Sequence, residues 1–509
     1  MSGRFQDRDA GGSEGGGRSV HDGPGRWGVK PDTFPASAAS AMRGQEALPV
    51  LDFPVEPAHL SQKRDPELEA AQVNTAIPHV VAWNITRRCN LECSHCYISA
   101  GSWQSAESEL STKECHRVLD DVLAVNPAVL LILSGGEPLV RNDLEEIANH
   151  AASAGATVVV GTNGIGLTNE RIESLKGAGV RGVAVSIDSL NPTYHDRFRH
   201  GTGALSATLS AVTRLRQQGL DFIVQTSLTR GNRSELPELV AWAAENGAVS
   251  FNLYFLVPTG RGERMEGLSP SENEEVLADL VELERVYRGR MMVRSKCQPQ
   301  LMRHVIEAGG ESPLLNYATR CPCGVQYCRI TPEGKLTPCP YMPAVAGDLT
   351  RESFGDVWRE SSLFEALRGG ALSGRCGRCE YRGVCGGCRA RAFAQSGDPL
   401  GPDESCAYDP PGDRPLVEPP QQMTYGGTAT QGMPWTPEAE ERISRAPSFV
   451  RGVVTQRVED FARRHGYTVV DLEVMAEVRR KMPVDFSKRL PFFLRDREKG
   501  PEHGETTDA

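Results

Sequence analysis

Residues 89–97 read CNLECSHCY, which puts three cysteines in one short stretch with the spacing C-x3-C-x2-C. A structural zinc site takes four ligands, and so does an iron–sulfur cluster held only by protein. Three thiolates on one tight loop can instead hold three irons of a [4Fe–4S] cube and leave the fourth open to a small molecule. An open iron marks a place of reaction rather than a wire for electrons.

The loop follows a β-rich run, HVVAWNIT (79–86), and opens a strand–helix rhythm. AVLLILSGGEP (128–138), ATVVVGTNG, VRGVAVSID, LDFIVQTSL and AVSFNLYFLVP read as five further strands. Between them lie segments with apolar residues at helical spacing, such as STKECHRVLDDVLAV (111–125), which begins on a capping Ser. Six strands alternating with helices predict an α/β fold with a parallel sheet. The strands end in Thr86, Ser134-Gly135-Gly136, Thr162-Asn163-Gly164, Ser186-Ile187-Asp188 and Gln225-Thr226-Ser227. Parallel sheets and barrels bind their ligands at that edge, so the cysteine loop is expected to share it with these residues.

The 509-residue chain has a net charge of −10, which argues against a nucleic-acid binder. No apolar run is long enough to span a bilayer, and the first twenty residues lack the apolar core of a secretory signal, so no membrane is expected and a cytoplasmic location is. In that reducing compartment the 14 cysteines are read as metal or cluster ligands rather than disulfides. Nine of them lie between residues 321 and 406, which suggests a second metal-bearing module. Cys115 falls inside a helical pattern and reads as a small buried residue, and Cys297 as a free thiol.

C-x3-C-x2-C after the first strand, followed by GGEP (135–138) after the second, resembles the signatures of the radical S-adenosylmethionine (SAM) enzymes. The resemblance spans about residues 78–260, and His95 stands where that family usually has an aromatic residue. It implies an open (β/α)6 partial TIM barrel in which Cys89, Cys93 and Cys96 ligate a [4Fe–4S] cluster whose open iron binds SAM. It also implies SAM-binding roles for Gly135, Gly136, Glu137 and Pro138, and for Ser186 and Asp188 on the fourth strand. Reductive cleavage of SAM would give a 5′-deoxyadenosyl radical that takes hydrogen from a substrate, with a low-potential donor such as ferredoxin or flavodoxin supplying the electron.

The second field reads CPCGVQYCRITPEGKLTPC (321–339), CGRCEYRGVCGGC (376–388) and Cys406. Taken alone, its middle block could be a zinc ribbon. With Gly334-x4-Cys339 and Cys406 it resembles the SPASM extension of radical SAM enzymes, which holds auxiliary [4Fe–4S] clusters; the usual final C-x3-C is here Cys385-x2-Cys388. The resemblance implies one auxiliary cluster on Cys321, Cys328, Cys339 and Cys388 and another on Cys376, Cys379, Cys385 and Cys406. Cys323 competes with Cys321, and a form with a single auxiliary cluster stays open. Arg389 and Arg391 in RARAFAQ (389–395) read as a solvated helix face or as partners of substrate carboxylates.

The expected organisation is a flexible arm (1–75), a radical SAM core (76–295), a SPASM-like domain (296–410), a Pro/Gly linker (411–433), a small helical domain (434–485) and a flexible tail (486–509). Thr436-Pro437 is an N-cap with Pro at the first helical position. Phe449, Val450, Val453, Val454, Val458 and Phe461 make one apolar helical face, and Gly466 ends that helix. The stretch 434–482 resembles the small C-terminal domain of the B subunit of light-independent protochlorophyllide reductase. The phrasing of the cysteine blocks resembles SPASM enzymes of tetrapyrrole biosynthesis. Both point to a tetrapyrrole substrate, oxidatively decarboxylated for example, with the tail's apolar face and Arg442, Arg445, Arg451 and Arg457 helping to hold it. The alternatives are a peptide-modifying SPASM maturase, disfavoured because residues 1–75 show no winged-helix pattern, and a non-enzymatic iron–sulfur electron carrier.

Overall fold

The computed structural model describes residues 76–310, 312–317, 320–418 and 432–481. The expected arm, most of the linker and the terminal tail therefore lie outside the described residues. In chain order the first half is β1 (Val80–Asn84), α1 (Thr112–Val125), β2 (Leu130–Ser134), α2 (Leu144–Ser153), β3 (Thr157–Thr162), α3 (Asn169–Gly177) and β4 (Val180–Ser186). Then come α4 (Pro192–Arg199), α5 (Ala204–Gln217), β5 (Asp221–Leu228), α6 (Leu236–Glu245), β6 (Ser250–Phe255), α7 (Pro270–Tyr287) and β7 (Met292–Lys296). The cysteine-rich part holds α8 (Leu301–Glu307), β8 (Tyr327–Ile330), β9 (Lys335–Thr337), β10 (Gly347–Asp348), α9 (Phe354–Glu360), α10 (Ser362–Gly369), α11 (Gly374–Arg378) and α12 (Arg389–Ser396). Three helices close the described chain: α13 (Pro437–Ser444), α14 (Arg451–Arg464) and α15 (Leu472–Lys481).

Local chemistry explains the boundaries. Ser111 caps α1 in a capping box with Glu114, and Asn191 caps α4 ahead of Pro192. The strand order is β10-β9-β8-β1-β2-β3-β4-β5-β6-β7. From β8 through β1 to β7 every neighbouring pair is parallel, and the sheet stays open, with β7 and β10 as its edges. The sheet is thus wider than the six expected strands. β7 adds to one side, and β8, from the cysteine-rich segment, pairs with β1 on the other.

Alternation along each strand sorts the two faces. Val81, Trp83, Leu131, Leu133, Val158, Val160, Phe251 and Leu253 are buried in one core with Val118, Leu119 and Val122 of α1. Truncating fully buried Trp83 to Ala would cost about 3–5 kcal/mol. The alternate residues, among them Asn84, Gln225, Tyr254, Arg294 and Arg329, form a polar inner face. Cys328 pairs with Val81 and Ile330 with Trp83, so both point to the helix side, while Tyr327 and Arg329 point inward.

The C-terminal helices have their own core of Trp435, Ala439, Ile443, Val458, Phe461, Val470, Val474 and Val478. Thr436 caps α13, and Gly466 adopts a positive φ just past α14. Ser448, between α13 and α14, seats on the sheet domain. Its amide donates to Ala128 O at 3.0 Å, and its hydroxyl meets His79 Nδ1 at 2.8 Å and accepts from Asn126 Nδ2 at 2.9 Å. His79 and Ala128 precede β1 and β2, so this seat is at the N-terminal edge of the sheet. The cysteine loop leaves the opposite edge, roughly 16 Å away along a five-residue strand. The tail's apolar face was expected to help to hold substrate; this seat puts it at the edge away from the cysteine loop. Phe461 is used in the tail's own core. Arg451 donates to Ser444 and Ala446 carbonyls, and Arg445 pairs with Glu441.

Candidate functional site

The cysteine loop is pinned from three sides. Glycines at the end of β2 let backbone touch backbone: Gly136 N donates to Thr86 O at 2.8 Å and Glu137 N to Arg88 O at 2.9 Å. A Cβ on Gly135 would lie 2.4 Å from Thr86 O, and one on Gly136 2.3 Å from Arg88 O. From beyond β6, Arg261 Nε donates to Cys93 O and its Nη1 to Ala100 O, both at 2.8 Å. Gly260, at φ +60°, runs so close to the loop that a Cβ would meet Cys96 O and Tyr97 O at 2.6 Å. From α4, the Phe198 carbonyl accepts Ser94 N, and the Phe198 ring stacks on His95 at 4.6 Å.

Glu137 is 1 % exposed. Its carboxylate accepts from Thr162 Oγ1 at 2.7 Å, Asn163 N at 2.8 Å and Leu139 N at 3.1 Å. Burial raises its pKa, against the pull of those donors. It therefore braces the end of β2 to the end of β3, and Pro138 begins the short turn that follows. Asp188 is fully buried, taking Arg199 Nε at 2.7 Å and Ser227 N at 2.8 Å. Burial works to raise its pKa, but Arg199 and the nearby histidines hold it below the usual carboxylate range. Ser186 ends β4 beside Gln225, on the inward face.

The thiols of this loop sit in a protein-donor field. Cys89 Sγ accepts Leu91 N at 3.4 Å and Cys96 Sγ accepts Ala100 N at 3.3 Å. Arg199 Nη1 lies 4.0 Å from Cys93 Sγ. Burial pushes Cys89 up to about 12 and Cys93 up to about 11, in the latter case against Arg199 and Arg261. Backbone N–H groups and the Arg199 guanidinium facing sulfur, with the Arg261 charge nearby, suit thiolates that have given up their protons to a metal cluster. Arg199, Arg261 and Gly260 escaped the sequence reading. Asn191-Pro192 was an available sign of the helix that carries Arg199.

Two more thiol groups occupy the cysteine-rich part. Cys376, Cys379, Cys385 and Cys406 line one cavity, with Gly386 and Gly387 between them in positive-φ conformations. Asp403 N and Gly387 N donate to Cys376 and Cys385 sulfurs. Among the described residues, no three His, Cys, Asp or Glu side chains meet closely enough to share one metal ion; these four instead ring a wider space.

The other group differs from expectation. Cys321 Sγ lies 3.5 Å from Cys323 Sγ; Cys323 also meets Cys339, and Cys321 meets Cys388. Cys297, expected to be a free thiol, contacts Cys388. Cys328 takes no part: strand alternation turns it to the helix side, where it is fully buried beside Val81. Spacing alone cannot show this, because the face follows from pairing with β1. Cys323 therefore joins Cys321 rather than competing with it. Cys115 is fully buried under α1. Arg389 and Arg391 are 3 % and 4 % exposed, so neither forms a solvated face. Arg391 binds Asp403, Leu256 O and Cys297 O; Arg389 binds Pro399 O and Gly401 O.

Between the cysteine loop and this group lies a row of tyrosines. Tyr97, next to Cys96, accepts from Asn84 Nδ2 at 2.8 Å and packs 5.1 Å from Tyr341, whose ring is 6.5 Å from Tyr254. Tyr327 is within electrostatic reach of Tyr254, Cys339, Tyr97 and Cys297. All four rings keep some accessible surface, so they line a recess on the inner face rather than a sealed core. Arg329 reaches the same space from β8 and Lys296 from the end of β7; burial and Arg294 push Lys296 down to about 7.

The Radical SAM superfamily model matches residues 83–243, the iron–sulfur cluster-binding SPASM domain matches 321–389, and the proto-chlorophyllide reductase 57 kD subunit matches 435–479. The AdoMet-dependent heme synthase of Methanosarcina barkeri is 37 % identical over 346 residues, which cover 66 % of this chain and 98 % of the relative. The mycofactocin maturase MftC of Mycobacterium tuberculosis is 31 % identical over 340 residues, 65 % of this chain and 83 % of that one. Among solved structures, Streptococcus suis SuiB bound to S-adenosylmethionine superposes with TM-score 0.55 at 15 % identity, over 67 % of this chain and 80 % of SuiB, a likeness of fold.

Proposed function

Because the chain belongs to the radical SAM superfamily of enzymes and carries its SPASM iron–sulfur extension, we propose that it removes hydrogen from a carboxylated tetrapyrrole, with oxidative decarboxylation of a propionate side chain as the reaction. The observation that carries the substrate class is the 37 % identity that spans 98 % of a heme synthase. Cys89, Cys93 and Cys96 would hold the SAM-binding cluster. Cys321, Cys323, Cys339 and Cys388 would hold one auxiliary cluster, with Cys297 alongside, and Cys376, Cys379, Cys385 and Cys406 the other. When bound, these groups supply a hydrogen-abstracting 5′-deoxyadenosyl radical and a one-electron acceptor.

The chain's own residues hold and shield. Gly135, Gly136, Gly260 and Arg261 fix the cysteine loop against the ends of β2 and β6. Arg199, anchored by Asp188, sets a positive charge beside Cys93. The tyrosine-lined recess separates the loop from the Cys321 group, so substrate seated there would face both. Turning a propionate into a vinyl group breaks one C–H and one C–C bond. It releases carbon dioxide and leaves one hydrogen atom and one electron to be taken up, which matches a site with thiol groups on both sides. A ferredoxin or flavodoxin in the cytoplasm suits the low-potential electron needed to start each turnover.

The test is anaerobic incubation of the reconstituted full chain with SAM, a strong reductant and iron coproporphyrin, read by mass spectrometry. Loss of carbon dioxide from the porphyrin in step with 5′-deoxyadenosine supports the proposal. SAM cleavage with every tetrapyrrole unchanged would move the substrate to a peptide, the class on which a maturase acts.

A further inference from the structure

Two cations face the tyrosine-lined recess with no anion to meet them. Arg329 is 4 % exposed, yet its one hydrogen bond is Nε to the neutral Asn84 Oδ1 at 2.7 Å, and its guanidinium otherwise lies over the Tyr97 ring at 6.0 Å. The carboxylate nearest in influence, Glu333, is bound by Arg87. Lys296 ends β7 beside Tyr254 in register, on the inward face. Among the described residues no carboxylate hydrogen-bonds or pairs with either Lys296 or Arg329. Four other buried guanidiniums do meet a carboxylate, while Arg389 meets carbonyls and a thiol. Arg199 pairs with Asp188, Arg391 with Asp403, Arg141 with Asp143 and Arg303 with Glu274.

A buried guanidinium without a counter-ion is expensive, and Lys296, partly exposed, meets no carboxylate either among the described residues. The two lie on opposite flanks of the open sheet, Arg329 on β8 and Lys296 on β7, and the Tyr97, Tyr341 and Tyr254 rings lead from one to the other. The arrangement is a row of tilted aromatic rings, at 54° and 49° to one another, with a basic side chain at each end. It fits a planar apolar body with carboxylates on its rim.

We propose that Arg329 and Lys296 are the carboxylate clamp of the substrate site, each binding a different acid side chain of one planar, polycarboxylate substrate laid along the tyrosines. This rests on the tetrapyrrole reading and assigns to it the residues that choose and orient the substrate. Arg329, with its planar fork, suits a two-pronged grip on one carboxylate, and Lys296 a point contact with another.

The test measures binding of iron coproporphyrin and of its fully esterified form to the reconstituted full chain, by absorbance titration without reductant. Wild type should bind the free acid at least about tenfold more tightly than the ester, as expected for hydrogen bonds to charged groups. Lys296→Gln and Arg329→Gln should each weaken the free acid about tenfold or more and leave the ester's affinity unchanged, so each narrows the difference and the double variant erases it. Lys296→Arg should restore most of it, and wild-type iron content and circular dichroism identify variants that fold. If wild type binds the free acid and both Gln variants bind it equally well, the clamp is wrong while the tetrapyrrole reading stands. If wild type binds neither form, the tetrapyrrole reading falls and takes the clamp with it.

Discussion

His79 Nδ1 lies 2.8 Å from the Ser448 hydroxyl, and this contact joins the sheet to the C-terminal helices at the edge farthest from the cysteine loop. Burial, with Arg451 nearby, pushes His79 down to about 4 from an ordinary 6.5. Between those values the undocked chain binds a proton that the docked chain does not. The stabilisation is therefore complete above about pH 6.5 and is lost as pH falls toward 4, up to about 3 kcal/mol. Hydrogen exchange over residues 434–481 should quicken as pH falls from 7 to 5, beyond the intrinsic chemical dependence, while the sheet stays protected. Equal protection at both pH values would contradict the latch. Ser448→Ala, which removes the hydroxyl that meets His79 and Asn126, should cost about 1–3 kcal/mol and loosen the same helices at pH 7.

Cys328 and Cys323 make opposite predictions. With three clusters the reconstituted chain should carry about twelve irons, four per cube. Cys328→Ala removes a buried core thiol and should leave the iron content intact. Cys323→Ala should lose about four irons, or show a changed auxiliary-cluster spectrum. The reverse pattern would restore the ligand set expected from spacing.

The glycines that press on the cysteine loop can be tested one by one. Gly135→Ala and Gly260→Ala each force a Cβ against a carbonyl, at 2.4 and 2.6 Å, and each places Ala at a positive φ. Strain of about 1–3 kcal/mol at such positions should shift the loop and reduce SAM cleavage about tenfold or more. Gly267→Ala, which has no atom within 4 Å of the added methyl, should behave as wild type. Unchanged SAM cleavage in Gly135→Ala would show that the loop does not depend on this close approach.

The six central strands and their helices were legible because their periods are clean: β-rich runs close on Gly-bounded helices with capped starts. β7 and β8 were not. MVRSK and YCRI are short, and the cysteines around β8 drew attention to ligation rather than to pairing. The thiols at 89, 93 and 96 were legible from spacing, since loop neighbours are close in any fold. Where Cys328 lies depends on register with Val81, and Cys297 meets Cys388, which is distant in sequence, so neither placement could be read from spacing. Glu137 and Asp188 were expected to face SAM. Their protein partners are Thr162, Asn163, Leu139, Arg199 and Ser227, which only the folded chain brings together.

On the proposed function, a radical formed at the Cys89–Cys93–Cys96 loop takes hydrogen from a tetrapyrrole side chain. A direct measurement uses iron coproporphyrin deuterated at the propionate carbon attached to the ring, β to the carboxylate, with the 5′-deoxyadenosine analysed by mass spectrometry. Wild type should give 5′-deoxyadenosine that carries deuterium, and Cys93→Ala should give no 5′-deoxyadenosine. Abundant 5′-deoxyadenosine free of deuterium, beside unreacted porphyrin, would contradict the proposed function.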